Sequence, residues 1–336
     1  MKMSLLKRMA TTLYHPKGNL TTTARRYFST PLAPPPGTQH KQHLSKGTGA
    51  TATTAPGRHD TKKTSNTRNT NKKPPLLCES LLQETFIKGS GPGGQKINKV
   101  KNKVVLVTGS SRGIGLEIAR GFFENEAIVY SLGRSKKSLN KKLNKNYFQC
   151  DLNNKLDFIK ICKEIKSINR RIDVLVNCVG ITTNKYNINE FENILKTNLF
   201  SIYHASNIFK NYVNNKSGGS IINIGSIGSV VAFPKNPAYV SSKFALLGLS
   251  KSLALDFNDR NIRVNTILPG YIKTKMTLKS YNNKSENTKR KNRTIMKRWG
   301  KPSDLVGASI FLASKASNYM TGSEIIVDGG WLAKGL

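Results

Sequence analysis

The run Thr108-Gly109-Ser110-Ser111-Arg112-Gly113-Ile114-Gly115 decides the fold, because of what stands on either side of it. Before it stands Lys103-Val104-Val105-Leu106-Val107, whose length and β-branched valines are typical of a buried strand. After it, residues 116–123 repeat apolar side chains at helical spacing. Between a strand and a helix, such glycines permit the turn and let the backbone approach a pyrophosphate. The helix amino terminus adds unpaired N–H groups for the phosphates, so the segment predicts a dinucleotide-binding unit.

Strand-like and helical runs alternate through the rest of the chain. Predicted strands cover residues 128–132, 147–150, 172–176, 220–224, 262–268 and 324–327. Predicted helices cover residues 156–166, 195–212, 237–255 and 304–312. This alternation predicts an α/β fold with a doubly wound parallel sheet of Rossmann type. Residues 101–336 are enough for one such domain.

Further motifs follow in a fixed order. They are Asp151-Leu152, Asn177-Cys178-Val179-Gly180, Asn198, Ser226, Tyr239-xxx-Lys243, and Pro269-Gly270 with Thr274. Together with the glycine run they resemble the short-chain dehydrogenase/reductase family over essentially residues 101–333. The resemblance implies cofactor contacts from Gly109, Ser111, Arg112, Gly113, Ile114, Gly115, Arg134, Asp151, Leu152, Asn177, Gly180, Tyr239, Lys243, Pro269, Gly270, Ile272 and Thr274.

The catalytic residues that the resemblance implies are Asn198, Ser226, Tyr239 and Lys243. Reduction of a ketone needs a proton for the developing alkoxide, and Tyr239 is the proposed acid. A free tyrosine has a pKa near 10. Lys243 lies one helical turn away on the same face, and we expect its charge, together with that of the nicotinamide, to lower the pKa of Tyr239. Ser226 would position the substrate oxygen, and Asn198, by resemblance, would anchor a water in the proton relay.

The cofactor prediction depends on the residues after the second strand. An NAD site usually carries an acid there, for the ribose hydroxyls. This strand instead ends in Leu132-Gly133-Arg134-Ser135, without an acid. Arg134 and Arg112 could clamp a 2′-phosphate. We therefore predict NADP(H), and no metal.

Several strings resemble the 3-oxoacyl-[acyl-carrier-protein] reductases of bacterial-type and mitochondrial fatty acid synthesis. They lie at residues 180–182, 222–228, 268–277 and 319–330. Many carbonyl reductases share such strings, so an NADPH carbonyl or alcohol reductase acting on free small molecules stays open. The resemblance also implies a homotetramer.

The charge favours an acidic partner. The chain holds 55 basic and 18 acidic residues, and the segment 273–298 alone holds ten basic residues and one acid. We name this segment the lid, because it stands where the family carries a mobile lid. A basic lid would steer an acidic acyl carrier protein to the cleft. Arg260 matches a position where the reductases carry a docking residue. The alternative is a disordered Lys/Asn insertion without a partner.

The first hundred residues have a different composition. Residues 1–30 are basic, hydroxyl-rich and free of acids, as in a mitochondrial transit peptide, which predicts the mitochondrial matrix. Residues 31–75 are rich in Pro, Thr, Gly, Asn and Lys and predict a disordered linker. No run is apolar enough for a membrane span. The scattered cysteines predict neither disulfides nor a zinc site.

A second resemblance lies at residues 76–100. Gly89-Ser90-Gly91-Pro92-Gly93-Gly94-Gln95, followed by Lys96, Asn98 and Lys99, resembles the start of the catalytic domain of class I peptide release factors. The elements that should follow the loop are missing, and about 25 residues cannot bury a core. We therefore expect a truncated remnant without ribosome binding. A ribosome-rescue peptidyl-tRNA hydrolase is the alternative from another class.

Overall fold

The computed structural model describes residues 99–185 and 187–334. The predicted transit peptide, linker and Gly-Gly-Gln segment all lie outside the described residues, apart from Lys99 and Val100. Within the described part, seven parallel strands form one sheet in the order β3-β2-β1-β4-β5-β6-β7. The strands are β1 (Val104–Thr108), β2 (Ile128–Gly133), β3 (Tyr147–Gln149), β4 (Val174–Asn177), β5 (Gly219–Ile224), β6 (Ile262–Pro269) and β7 (Glu324–Val327).

Eight α-helices accompany these strands in the described residues. They are α1 (Gly113–Glu124), α2 (Lys155–Asn169), α3 (Ile188–Leu195), α4 (Ser201–Phe209), α5 (Pro237–Asp256), α6 (Leu278–Asn282), α7 (Lys284–Arg293) and α8 (Val306–Ala313). The predicted α/β fold with a doubly wound parallel sheet is confirmed.

The core has two layers, one on each face of the sheet. Side chains of a strand alternate between faces, so Leu106 joins the layer beneath α2, α4 and α5, whereas Val105 and Val107 join the layer beneath α1 and α8. All five residues of β1 are buried. A strand covered on both faces needs a continuous apolar run, which is what residues 104–107 supply.

Two predicted helices differ from the observed ones. The predicted helix 195–212 begins at Ile188 as α3 and passes through a π-helical turn, Lys196–Phe200, into α4. The predicted helix 304–312 starts as a 3₁₀ turn, Pro302–Leu305, before α8. The lid is helical over α6 and α7, so the alternative of a disordered insertion is wrong for this segment.

The order of the strands in the sheet determines where the site lies. The parallel strands end at one edge of the sheet, where Thr108 of β1 is paired with Leu132 of β2 and with Asn177 of β4. The chain runs from β1 outward through β2 to β3 on one side, and then crosses back to place β4 on the other side of β1. Open α/β sheets bind ligands at the carboxyl edge beside such a switch.

Candidate active site

The glycine loop between β1 and α1 forms a tight turn at this edge. Gly109 has a φ of +68°, and a Cβ there would lie 2.7 Å from the carbonyl oxygen of Cys178. A Cβ on Gly115 would lie 2.6 Å from the carbonyl oxygen of Gly109. Arg112 at the N-cap makes no side-chain capping bond, and the first turn of α1 holds no acid. The positive end of α1 is therefore open to an anionic ligand.

Two cavities meet at this loop. The β2-side cavity is lined mainly by the glycine loop and the ends of β2 and β3: Thr108, Gly109, Ser111, Arg112, Leu132, Gly133, Arg134, Ser135, Cys150, Asp151, Leu152, Asn153, Cys178, Val179, Gly180, Ile181, Thr197 and Ser201. The β6-side cavity is lined by the glycine loop, the ends of β4, β5 and β6 and the start of the lid: Gly109, Arg112, Gly113, Ile114, Gly115, Cys178, Val179, Gly180, Ile224, Gly225, Ser226, Tyr239, Lys243, Pro269, Gly270, Ile272, Thr274, Lys275, Met276 and Thr277. Because they share five of these residues, the cavities form one elongated cleft.

The structure places sixteen of the seventeen predicted cofactor contacts on the walls of this cleft. The exception is Asn177, which is buried and lines neither cavity. Its amide nitrogen donates to Asn223 Oδ1 at 2.9 Å and to Ser206 Oγ at 3.3 Å. The side chain of Asn177 therefore ties β4 to β5 and α4 behind the cleft.

Two arginines mark the β2-side cavity as an anion site. Arg112 and Arg134 are both exposed, and neither forms an ion pair with any of the described residues. Among the described residues, Asp151, after β3, is the only acid on this wall. Ser111 and Ser135 add hydroxyl groups beside the two guanidinium groups. These donors fit a 2′-phosphate on the adenosine ribose. The end of β2 carries no acid that would repel this phosphate or pair with the two arginines.

Ser226, Tyr239 and Lys243 meet on the wall of the β6-side cavity. Ser226 follows β5, and its Oγ accepts from Gly228 N at 2.9 Å. Tyr239 lies in the first turn of α5, one turn before Lys243. Lys243 Nζ donates to Ile224 O at 2.8 Å and lies 5.8 Å from the centroid of the Tyr239 ring. The hydroxyl, phenol and ammonium groups thus line one pocket.

The pKa values of this cluster are shifted by its burial. Lys243 is 4% exposed, and burial lowers its pKa to about 8, with Cys178 acting in the opposite direction. Burial raises the pKa of Tyr239, a hydrogen bond with Ser226 opposes this, and Tyr271 adds to it. In this structure the loss of water around the phenol outweighs the stabilisation of its anion. The expectation that the charges of Lys243 and of the nicotinamide together lower the pKa of Tyr239 stays a prediction for the complex with the cofactor.

Asn198 lies just behind the cleft, in the π-helical turn between α3 and α4. Its amide nitrogen donates to Ile181 O at 2.9 Å and Ser242 Oγ at 3.0 Å. Its Oδ1 accepts from Ile181 N at 2.8 Å. The side chain therefore fastens the loop after β4 to α5. Both hydrogens of its amide nitrogen are used within the protein, and Oδ1 keeps one lone pair beyond its bond with Ile181 N.

Sequence reasoning missed several residues of the cleft. Cys178 is half-buried in both cavity walls, and burial raises its pKa to about 12, so the group is a thiol. Val179, Ile181 and Ile224 follow or end strands at the same edge. Their position after β4 and in β5 is a signal that could have found them. Lys275, Met276 and Thr277 belong to the lid. No sequence pattern predicts which part of the lid runs along the cleft.

The lid is fixed by stacking of cations on aromatic rings. Arg290 lies 4.2 Å from the centroid of the Tyr271 ring and pairs with Glu286 at 2.9 Å. Lys273 lies 4.1 Å from the ring of Tyr281. Arg293 lies 4.3 Å from the ring of Trp331. Such contacts each contribute about 0.5–2 kcal/mol, so these charges hold the lid in place.

Arg260 does not belong to the same surface as the lid. It lies in a 3₁₀ turn directly before β6, at the amino edge of the sheet, and its Nη1 donates to Asn215 Oδ1 at 3.3 Å. The lid follows the carboxyl end of the same strand. An eight-residue strand spans about 26 Å, so Arg260 and the lid stand at opposite edges and form no single docking patch.

In the part of the chain that the structure describes, no helix is long and apolar enough to cross a membrane. The same residues contain no group of three or more metal-ligating side chains that could hold an ion.

Known proteins are similar to this chain in sequence and architecture. A family profile described as enoyl-(acyl carrier protein) reductase matches residues 109–332. The chain is 34% identical over 241 residues to the 3-oxoacyl-[acyl-carrier-protein] reductase of Buchnera aphidicola subsp. Schizaphis graminum, covering 69% of this chain and 98% of the relative. It is 33% identical over 245 residues to the 3alpha-hydroxysteroid dehydrogenase of Mediterraneibacter gnavus, covering 68% and 97%.

A solved structure extends the comparison. The gluconate 5-dehydrogenase from Burkholderia cenocepacia J2315, in complex with NADP and tartrate, matches with a TM-score of 0.67 and 27% identity, covering 71% of this chain and 99% of that chain. Proteins about equally similar to this chain thus have names that refer to different substrates.

Proposed function

This chain belongs to the short-chain dehydrogenase/reductase family, and from that membership we propose that it reduces 3-oxoacyl groups on an acyl carrier protein to 3-hydroxyacyl groups with NADPH. The membership itself makes the chain an oxidoreductase that acts on alcohol and carbonyl groups. The observation that carries the finer proposal is the lid: ten basic residues and one acid beside the cleft. An acidic carrier protein suits this surface better than a neutral small molecule.

The cofactor proposal rests on the cleft. The open amino terminus of α1 would hold the pyrophosphate, and Arg112 and Arg134 would hold a 2′-phosphate. The nicotinamide, when bound, supplies the hydride for the carbonyl carbon. The protein has to place the substrate and deliver one proton to its oxygen.

Tyr239 supplies the proton. Ser226 donates a hydrogen bond to the carbonyl oxygen and orients it toward the phenol, since both side chains line the same cavity. Tyr239 then transfers its proton to the developing alkoxide. The raised pKa keeps the phenol protonated beforehand. Lys243 lies beside the Tyr239 ring, and its positive charge stabilises the phenolate that remains after transfer.

Asn198 is a positioning residue in this scheme. Its three side-chain hydrogen bonds fix the loop at Ile181 and the helix at Ser242. Ser242 precedes Lys243 in α5. The hydrogen bonds of Asn198 therefore fix the position of the helix that carries Tyr239 and Lys243.

We further propose a homotetramer in the mitochondrial matrix. Exposed apolar side chains on α4 and α5, namely Tyr203, Phe244 and Leu255, would be covered by other copies. The basic, acid-free composition of residues 1–30 supports the proposed matrix location. Mass spectrometry of the amino terminus of the endogenous protein tests it, and an intact Met1 in purified mitochondria would contradict it.

Salt dependence tests the substrate class. If the lid steers an acidic carrier, kcat/KM for a 3-oxoacyl carrier substrate should fall steeply as ionic strength rises. Exposed charges are already screened beyond about 8 Å at physiological salt. The series of ionic strengths should therefore start well below the physiological value. The matched N-acetylcysteamine thioester is neutral and should show little change. Equal salt profiles would favour the second candidate, a reductase of free carbonyl compounds, which the similarity to the hydroxysteroid dehydrogenase supports.

A further inference from the structure

One cation of the lid differs from its neighbours in what it faces. Lys273 and Arg293 lie over aromatic rings, and Arg298 pairs with Asp304 at 2.6 Å. Lys275 lines the β6-side cavity instead, together with the glycine loop and the start of α1. Its side chain is exposed and forms no ion pair with any residue in the described ranges. Its ammonium group is therefore available to a ligand in the cleft.

The backbone around Lys275 is held in a compact turn. Thr277 Oγ1 donates to Ile272 O at 2.6 Å, and Thr274 N donates to Thr277 Oγ1 at 2.9 Å. Thr277 N donates to Thr274 O at 3.1 Å. This turn fixes the point at which the lid leaves β6.

The same turn lies against the amino terminus of α1. The Cγ2 atom of Thr274 is 3.8 Å from the position that a Cβ on Gly113 would take. Gly113 is the first residue of α1, and no side chain caps that terminus. Lys275 directly follows Thr274, so an anion bound at the start of α1 would have the helix on one side and a cation of the lid on the other.

We propose that Lys275 binds the pyrophosphate of the dinucleotide from the lid side and thereby couples cofactor binding to the position of the lid. The proposal rests on the proposed use of a nicotinamide dinucleotide, and it does not depend on the carbonyl substrate. It assigns Lys275 a role different from that of Arg112 and Arg134. The pyrophosphate is common to NADPH and NADH, whereas the 2′-phosphate is present only in NADPH.

Binding of the two cofactors to one pair of variants tests the assignment. Lys275→Gln should raise the Kd of NADPH and of NADH by the same factor, about 10-fold, because a charged hydrogen bond is lost. Lys279→Gln is the matched control, because Lys279 is an exposed lysine of α6 that does not line the cleft. It should leave both Kd values within two-fold of the unsubstituted protein. Quenching of tryptophan fluorescence in the full chain provides the measurement.

A second readout reports on the lid itself. Glu286 is the only acid between residues 273 and 298, so a glutamate-specific protease cuts the lid at one place. Saturating NADPH should slow this cleavage in the unsubstituted protein and in Lys279→Gln. In Lys275→Gln, at a concentration that saturates the variant, cleavage should continue at nearly the cofactor-free rate.

Several outcomes would overturn the proposal. Equal affinities of Lys275→Gln and Lys279→Gln would remove Lys275 from the site. If Lys275→Gln lost affinity for NADPH alone, Lys275 would contact the 2′-phosphate instead of the pyrophosphate. Should Lys275→Gln fold poorly, Lys275→Arg keeps the charge, and its Kd should stay within three-fold. Failure to reduce a carrier-bound substrate would refute the proposed function and leave these binding results unaffected.

Discussion

Replacing Lys243 by methionine should stabilise the cofactor-free protein in a pH-dependent way while abolishing its activity. The side chain is 4% exposed, and burial lowers its pKa from 10.5 to about 8. At 1.36 kcal/mol per pKa unit, this shift corresponds to about 3 kcal/mol of destabilisation when the group is protonated in both states. Methionine has a similar length and carries no charge, so the variant avoids that cost.

The substitution also removes a hydrogen bond. Lys243 Nζ donates to Ile224 O at 2.8 Å, and leaving that carbonyl unpaired costs about 1–3 kcal/mol. The net gain at pH 7 is therefore small, about 0–2 kcal/mol. The pH dependence is the more decisive quantity, because the carbonyl does not titrate.

The direction follows from proton binding. Between pH 8 and pH 10.5 the unfolded chain holds more protons at Lys243 than the folded protein does. The stability contributed by this group therefore rises with pH across that window. From pH 7 to pH 9.5 the penalty falls from about 3 to about 1 kcal/mol, so the advantage of the variant should shrink by about 2 kcal/mol.

Urea unfolding of both full-length proteins at the two pH values measures the difference. Lys251→Met on the same helix is the control, because Lys251 is exposed and forms a surface pair with Glu324 at 3.5 Å. Its effect should change little with pH. An advantage of Lys243→Met that is the same at pH 7 and pH 9.5 would refute the argument that burial of the ammonium group strains this site.

Two further predictions concern catalysis and the cofactor. Tyr239→Phe should lower kcat by about 10²–10⁴-fold with little change in the Kd of NADPH, because it removes only the acid; turnover above a tenth of the unsubstituted value would exclude the assigned role. Arg134→Asp should shift the ratio of kcat/KM from NADPH toward NADH, because a phosphate partner is replaced by an acceptor for the 2′-hydroxyl. An unchanged ratio would show that Arg134 does not meet the phosphate.

Local periodicity was enough to predict much of this site. Tyr239 and Lys243 are one turn apart, so any helix over these residues brings them to one face. The glycine loop lies between a strand and a helix, and parallel pairing then carries the end of β1 next to that of β4. The direction of Asn177 was harder to predict. It is the last residue of β4 and pairs with Asn223 of β5, and its side chain bonds to that residue instead of facing the cleft.

Contacts between distant segments could not be predicted from the sequence. Arg290 stacks on Tyr271 from the end of β6 and lies 6.0 Å from the ring of Trp299, which follows α7. Its Nε also donates to Ser280 Oγ at 2.7 Å. A basic run gives no sign of which cation will be held in this way, because the choice depends on where rings from other segments lie.

The net charge of the lid therefore overstates the charge that a partner can meet. Arg290 is held by Tyr271 and Glu286, and removing it would loosen the lid as well as change its charge. Joint neutralisation of Lys289, Arg290 and Lys291 would confound these two effects. Lys289 and Lys291 are exposed on α7 and have no ion-pair partner in the described part of the chain. Replacing these two alone changes the field of the lid while leaving its packing intact, so a salt effect lost in that variant is electrostatic in origin.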